Sequence, residues 1–302
     1  MKVAVSGMTG FVGIAVTGAL LKAGHEPIPL VRAGGAPGRG IRWDPDAGTV
    51  DAEAFSSVDA VLHLAGENIA AGRWTAARKE SIRDSRVRGT ALLADAVARC
   101  SRPPRLFACA SAVGIYGDRG DESLSEESPP GSGFLAETCL AWEAAARRAG
   151  SKRTRVVTMR TGMVLHPSGG ALAAMLPLFR LGLGGPSGSG LQYVSWIARD
   201  DLAEAYRFVL ETEGITGPVN ATAPGAVTNG DFARALGKAL RRPAFVPAPA
   251  FALRLLLGEM ARELLLSGAR VVPGKLLSGR FPFRFPDLEG ALGEMFGRTP
   301  AG

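Results

Sequence analysis

The chain opens on a short apolar run, Val3-Ala4-Val5, and from Phe11 onward its apolar positions recur at helical spacing as far as residue 23, closed by Gly24. That succession predicts a strand, a tight turn and a helix. A second β-like run over residues 25–31 ends at Arg32, and buried-type strands follow at 59–64, 105–110 and 155–161. Helical periodicity over 75–99 and 134–149 separates them. Such alternation predicts a parallel sheet with right-handed crossovers, a doubly wound α/β fold. Pro27 and Pro29 remove two donors on one side of the second strand, so one ladder must be incomplete there.

The alternation fails beyond about residue 169. A glycine-rich run, 182–190, reads as a mobile loop, 193–197 as a strand, 200–213 as a helix, 218–221 as a strand, and Thr228 as the cap of a helix reaching Leu240. Residues 1–168, with a returning segment near 191–228, are expected to form one domain. Residues 169–302 then form a smaller α+β substrate or lid region, ending in a module over about 247–297.

The first turn carries chemistry. Gly7-Met8-Thr9-Gly10-Phe11-Val12-Gly13 is G-x-x-G-x-x-G between a strand and a helix, the context in which the pattern means a Rossmann-type dinucleotide site. Gly7 turns tightly, Gly10 admits a pyrophosphate, and Gly13 lets helix and strand approach. Thr9, Phe11 and Val12 complete the expected contacts, with the phosphates at the helix N-terminus. Arg32 stands where an acidic residue would hold the ribose of NAD; a guanidinium there favours the 2′-phosphate of NADP by roughly ten- to hundredfold, unless it is a solvated surface arginine. Asp44, beside Trp43, either flanks an adenine or is a turn residue next to a packed aromatic. Small residues at Leu64-Ala65-Gly66 leave room for the cofactor to cross the strand ends, and Ala110, Arg160 and Val164 reach the same rim; Arg160 is alternatively an internal ion-pair partner. His63, inside its strand, reads as a core histidine.

Composition narrows the partners. The 302 residues are 46% hydrophobic and 21% charged, with a net charge of +7 spread along the chain without a basic block, so no nucleic-acid partner is expected. Three cysteines without a C-x-x-C pair suggest neither a disulfide framework nor a metal site. No signal segment is evident, and the greasiest stretch, 253–266, is broken by Arg254, Glu259, Arg262 and Glu263, well short of the ~20 apolar residues of a span. A cytoplasmic protein with no membrane partner and a small-molecule substrate is expected; a homodimer stays open.

Together these residues resemble the extended short-chain dehydrogenase/reductase superfamily in its epimerase/dehydratase branch, which also has Tyr116-Gly117 and Ile197-Ala198-Arg199-Asp200-Asp201 in this order. His63 to Ile69, Arg73-Trp74-Thr75, Ser85-Arg86-Val87, Val219 to Pro224, Gly258-Glu259-Met260 and Phe283-Arg284-Phe285-Pro286 are similar to an atypical "epimerase family protein" group with an extra C-terminal module. The resemblance covers nearly the whole chain. It implies an NADP-dependent oxidoreductase or epimerase, but the positions matching the superfamily's Tyr-x-x-x-Lys pair and its hydroxyl residue read Phe134, Thr138 and Ala112. None of these can move a proton as the standard set does, a role worth ~10²–10⁴ in rate. Ser111, Tyr116 and Glu137 are the candidate substitutes, Glu137 if burial makes it an acid. Asn68, Arg73, Trp74 and Arg86 are the candidate substrate contacts. The rival reading is a non-catalytic NADPH-sensing or cofactor-gated binding protein.

Overall fold

The structure, a computed structural model, describes residues 1–32 and 40–297; most of the glycine-rich loop expected after Arg32 lies outside them. Eight strands form the central sheet: β1 (Lys2–Ser6), β2 (Glu26–Arg32), β3 (Ile41–Asp44), β4 (Thr49–Val50), β5 (Ala60–His63), β6 (Leu106–Ala112), β7 (Arg155–Thr161) and β8 (Gly217–Ala221). Their spatial order is β8-β7-β6-β5-β1-β2-β3-β4, parallel throughout except for the β3–β4 pair. The order reverses at β1, which opens a crevice at the carboxyl ends of β1 and β5.

Alternation along β1 decides which helices cover which face. Val3 and Val5 pack against α1 (Phe11–Lys22) and α5 (Arg199–Glu211). Ala4 points the other way, with Val61 and Phe107, onto α2 (Ala76–Arg99) and α3 (Phe134–Arg147). Every central strand is thus apolar on both sides, as a sheet buried between helices requires. The two prolines of β2 also find their explanation. Glu26 donates its N–H to the Met1 carbonyl, just ahead of β1, at 2.8 Å, so Pro27 and Pro29 face the side away from β1. On that side β3 joins the ladder only from Leu30 onward, and no donor is missed.

The rest of the chain packs as a third cluster around α4 (Gly170–Arg180), α6 (Asn229–Leu240) and α10 (Leu288–Met295), with α7 (Ala250–Leu257), α8 (Glu259–Leu264) and α9 (Gly274–Ser278) between α6 and α10 in the chain. The single strand expected over 193–197 is two: Tyr193–Val194 pairs with Val227–Thr228, and Trp196–Ala198 with Met163–Leu165. Ser195, at the break, turns inward to donate to the Ala269 carbonyl and accept from the Val271 N–H, at 2.6 and 2.9 Å. Similar ties fasten the C-terminal segment elsewhere. Glu126 accepts from the Lys275 N–H at 3.1 Å, Asn220 donates to the Val272 carbonyl at 2.9 Å, and Asp201 accepts from the N–H groups of Arg284 and Phe285 at 3.0 and 2.9 Å. No helix among the described residues is long and apolar enough to cross a membrane.

Candidate functional site

Three glycines shape the crevice at the end of β1. Gly7 has φ +71°, and a Cβ on it would lie 3.1 Å from the backbone nitrogen of Ala65, so the turn abuts the end of β5. A Cβ on Gly13 would lie 1.9 Å from the Gly7 carbonyl oxygen, which excludes any side chain there. Gly10 donates to that same oxygen at 3.0 Å. α1 starts at Phe11 with no side-chain cap and no acid in its first turn, so its leading N–H groups and its dipole are free for an anion. The cradle fits a dinucleotide pyrophosphate. Thr9 and Gly10 are exposed at its lip, with Phe11 and Val12 half-buried behind, and Phe11 also carries the Arg199 guanidinium 5.4 Å from its ring.

Ser6 and His63 fix the floor. Ser6 Oγ accepts from the N–H groups of Leu64 and Ala65 at 3.0 and 3.1 Å, so its single hydrogen goes to His63 Nδ1 at 2.7 Å. The imidazole is therefore neutral with its proton on Nε2, which has no hydrogen-bond partner among the described residues, and the ring lies edge-on to Trp43. Burial lowers the His63 pKa to about 4. Trp43 is thus a core residue, 3% exposed, and Asp44 holds its own turn, accepting from Asp46 and Ala47 N–H groups at 3.0 Å. Arg32 stands exposed at the end of β2, level with Trp43. Ala110 and Val164 lie half-buried along the crevice, and Gly66 is exposed beside the Arg86 guanidinium.

The candidate proton donors are placed very differently from one another. Tyr116 is fully buried, and its hydroxyl accepts from Arg160 Nη1 at 2.9 Å while reaching Asn220 Oδ1 at 2.7 Å and the Ser125 carbonyl at 3.0 Å. Ser111 donates to Glu143 Oε1 at 2.9 Å. Glu143 in turn is clasped by Arg160, Nε to Oε1 at 2.8 Å and Nη2 to Oε2 at 3.0 Å. Arg160 is therefore the internal ion-pair partner. Burial works against its charge, but Glu143 and Tyr116 more than offset that and hold its pKa up; the Tyr116 pKa is raised, by burial foremost. Glu137 is exposed on the first turn of α3, so the burial its acid role calls for is absent. Glu143, Asn220 and Glu126 complete this network and were not candidates from sequence.

The substrate-side candidates gather near the start of α3. Trp74 packs edge-on to Phe134, ring centroids 5.0 Å apart, and donates to the Ile69 carbonyl at 2.8 Å. Arg86 donates to the Glu67 and Ile82 carbonyls at 2.9 and 3.0 Å and lies over the Trp142 ring. Asn68 accepts from the Ala70 N–H at 2.9 Å. Only Arg73 keeps an exposed, uncommitted guanidinium, facing Gly258. The C-terminal segment closes over this corner: Met260 packs on Trp74, Lys79 pairs with Glu259 at 2.8 Å, and Glu263 accepts from the Leu135 N–H at 3.4 Å. Glu263 fits because Gly133, at φ +105°, has no side chain to meet it. Thr138, one turn into α3, is buried, and its hydroxyl has no partner among the described residues.

An open parallel sheet with a glycine-only turn at its switch point and an uncapped helix behind it defines a dinucleotide-binding protein of the Rossmann type. The NAD dependent epimerase/dehydratase family matches residues 3–221, and the chain belongs to that family. Residues 248–295 match a domain of unknown function, DUF1731. An epimerase family protein of Mycobacterium bovis is 43% identical over 291 residues, covering 96% of each chain. The human epimerase family protein SDR39U1 is 40% identical over 298 residues, 98% of this chain and 99% of that one. A crystal structure of the human protein (isoform 2) with NADPH superposes with a TM-score of 0.89 at 36% identity, over 99% of this chain and 100% of that one.

Proposed function

We propose that the chain binds NADP(H) and serves as an oxidoreductase or epimerase-like enzyme on a small carbonyl, hydroxyl or sugar-like substrate, without a Tyr-x-x-x-Lys pair. The observation that carries this reading is the uncapped cradle at α1, where only glycine fits at position 13 and Arg32 stands at the end of the neighbouring strand. The human relative whose structure holds NADPH supports the choice of dinucleotide. Bound there, a nicotinamide supplies hydride transfer. The protein's part is then to hold the phosphates on α1, pair the 2′-phosphate with Arg32, and offer Thr138 as a hydroxyl contact. Ser111 and Tyr116 act as positioning residues, since Glu143, Arg160 and Asn220 fix their hydroxyls. With Glu137 exposed, the proton is left to solvent. The three buried, unpaired thiols suit a cytoplasmic setting.

One observation favours the rival reading. Trp74, Met260 and the start of α3 fill with apolar contacts the corner where proton transfer would take place, as suits an NADPH sensor without turnover. Calorimetric titration tests the shared foundation: NADPH is expected to bind at least about tenfold more tightly than NADH, and Arg32→Ala to erase the difference. Equal binding of the two cofactors sinks the assignment of Arg32. Substrate-dependent NADPH oxidation across a panel of small carbonyls then separates enzyme from sensor.

A further inference from the structure

The face opposite in chemistry to the charged cradle is built by two neighbouring straps. Residues 182–190, expected to move freely, are instead tied to the segment before α7: Val246 donates to the Gly184 carbonyl at 3.1 Å, Ala248 to Pro186 at 2.9 Å, and Gly188 back to Ala248 at 2.9 Å. The loop that follows α4 and the segment that leads into α7 therefore run side by side. Nine of the thirteen large hydrophobic residues exposed among the described residues fall in 178–191 and 245–256, so their exposure is a feature of two paired segments rather than scatter. Leu181, Phe245, Phe251 and Leu255 are each more than 70% exposed, and α7, Ala-Phe-Ala-Leu-Arg-Leu-Leu-Leu, has no buried residue at all. Phe251 and Leu255, four apart, share a face of that helix.

The segments that build this patch carry charge of one sign. No Asp or Glu occurs from residue 144 to 199, nor between Asp231 and Glu259. Arg180, Arg241, Arg242 and Arg254 stand exposed in these segments, and none has an ion-pair partner among the described residues. Arg242 donates through Nε to the Arg180 carbonyl at 2.9 Å, which sets two of them together. A second copy docked face to face would oppose arginines to arginines, which disfavours it. The acids beside it, Asp231 and Glu259, are paired with Arg234 and Lys79, so the uncompensated charge is cationic, and an apolar face with such a rim matches a surface that is greasy within and anionic at its boundary.

We infer that this patch docks the protein, in the plane and without crossing, on a bilayer surface containing anionic phospholipid. That revises the expectation of no membrane partner, which rested on the lack of a spanning segment. It is independent of the cofactor reading, because the patch shares no residue with the cradle.

Sedimentation of the full chain with vesicles of phosphatidylcholine alone, and of equal parts phosphatidylcholine and phosphatidylglycerol, tests it. Binding is expected to the mixed vesicles, to weaken with added salt, and to fall roughly thirtyfold in Arg241→Ser/Arg242→Ser and at least about tenfold in Phe251→Ser/Leu255→Ser. All four side chains are solvated, and unchanged thermal melting confirms that the variants fold. No binding to either vesicle, equal binding to both, or indifference to the apolar pair overturns the inference. So does a concentration-dependent dimer that Phe251→Ser dissolves, which would assign the patch to a second copy.

Discussion

Acidification is expected to weaken this fold through His63 in particular. The imidazole is fully buried between Ser6 and Trp43, and its pKa falls from the usual 6.5 to about 4 because burial penalises the charged form. Unfolded chains therefore bind a proton that the folded chain refuses between these two values. Stability is complete above pH 6.5 and declines as pH falls, the lost part reaching about 2 kcal/mol near pH 5 and ~3 kcal/mol near pH 4. Asp201 contributes with the opposite sign, since burial raises its pKa, and other carboxylates add terms of their own. The His63 share is isolated by comparing urea unfolding of the natural chain with that of His63→Gln at several pH values. A glutamine keeps an acceptor for the Ser6 hydroxyl but does not titrate. The difference between the two chains should shrink by about 2 kcal/mol from pH 8 to pH 5. If it stays constant, His63 is not held neutral, and the proton placement on Ser6 and Nε2 is refuted.

Gly13→Ala puts a methyl 1.9 Å from the Gly7 carbonyl oxygen; a loss of at least about 3 kcal/mol should appear in thermal melting, with NADPH binding abolished in calorimetry. Glu143→Ala leaves the Arg160 guanidinium buried without its carboxylate and should cost ~3–5 kcal/mol, whereas Glu143→Leu with Arg160→Met should recover most of it, as read by chemical denaturation. Asp201→Ala leaves the buried Phe285 N–H and the neighbouring Arg284 N–H without their acceptor, a cost of about 2–4 kcal/mol, and limited proteolysis should then cut first near residues 281–286.

The parallel sheet and the phosphate turn were legible because both are local. Periodicity names the strands, and three glycines at fixed spacing name the turn. Glu143 left a fainter mark: it falls on the same stripe of α3 as Ala136 and Cys139, an ionisable residue on an apolar face, which announces a buried partner without naming it. That partner, Arg160, comes from a strand seventeen residues on, and no local pattern carries such a pairing. Trp43 shows the limit from the other side. Beside Asp44 at a strand end it suits an adenine, but the depth that makes it a core residue is set by Gly89 on α2 and His63 on β5. The strap of 182–190 reads as a mobile loop for the same reason, whereas Gly184, Gly185 and Gly188 meet backbone from 246–248.

The ties made by four residues of the body to the C-terminal segment share an asymmetry. Ser195, Asn220, Asp201 and Glu126 each offer a side chain, and residues 269–285 answer with main-chain N–H and carbonyl groups. Main-chain groups are the same whatever residue bears them, proline at a donor excepted. At these joints the information resides in the part of the chain that precedes the segment, so the segment's own sequence is free to diverge there, whereas the contacts of Glu259 and Glu263 need their own side chains. Detached from that body, it would lose these partners at once, and fusing it to another protein would not recreate them.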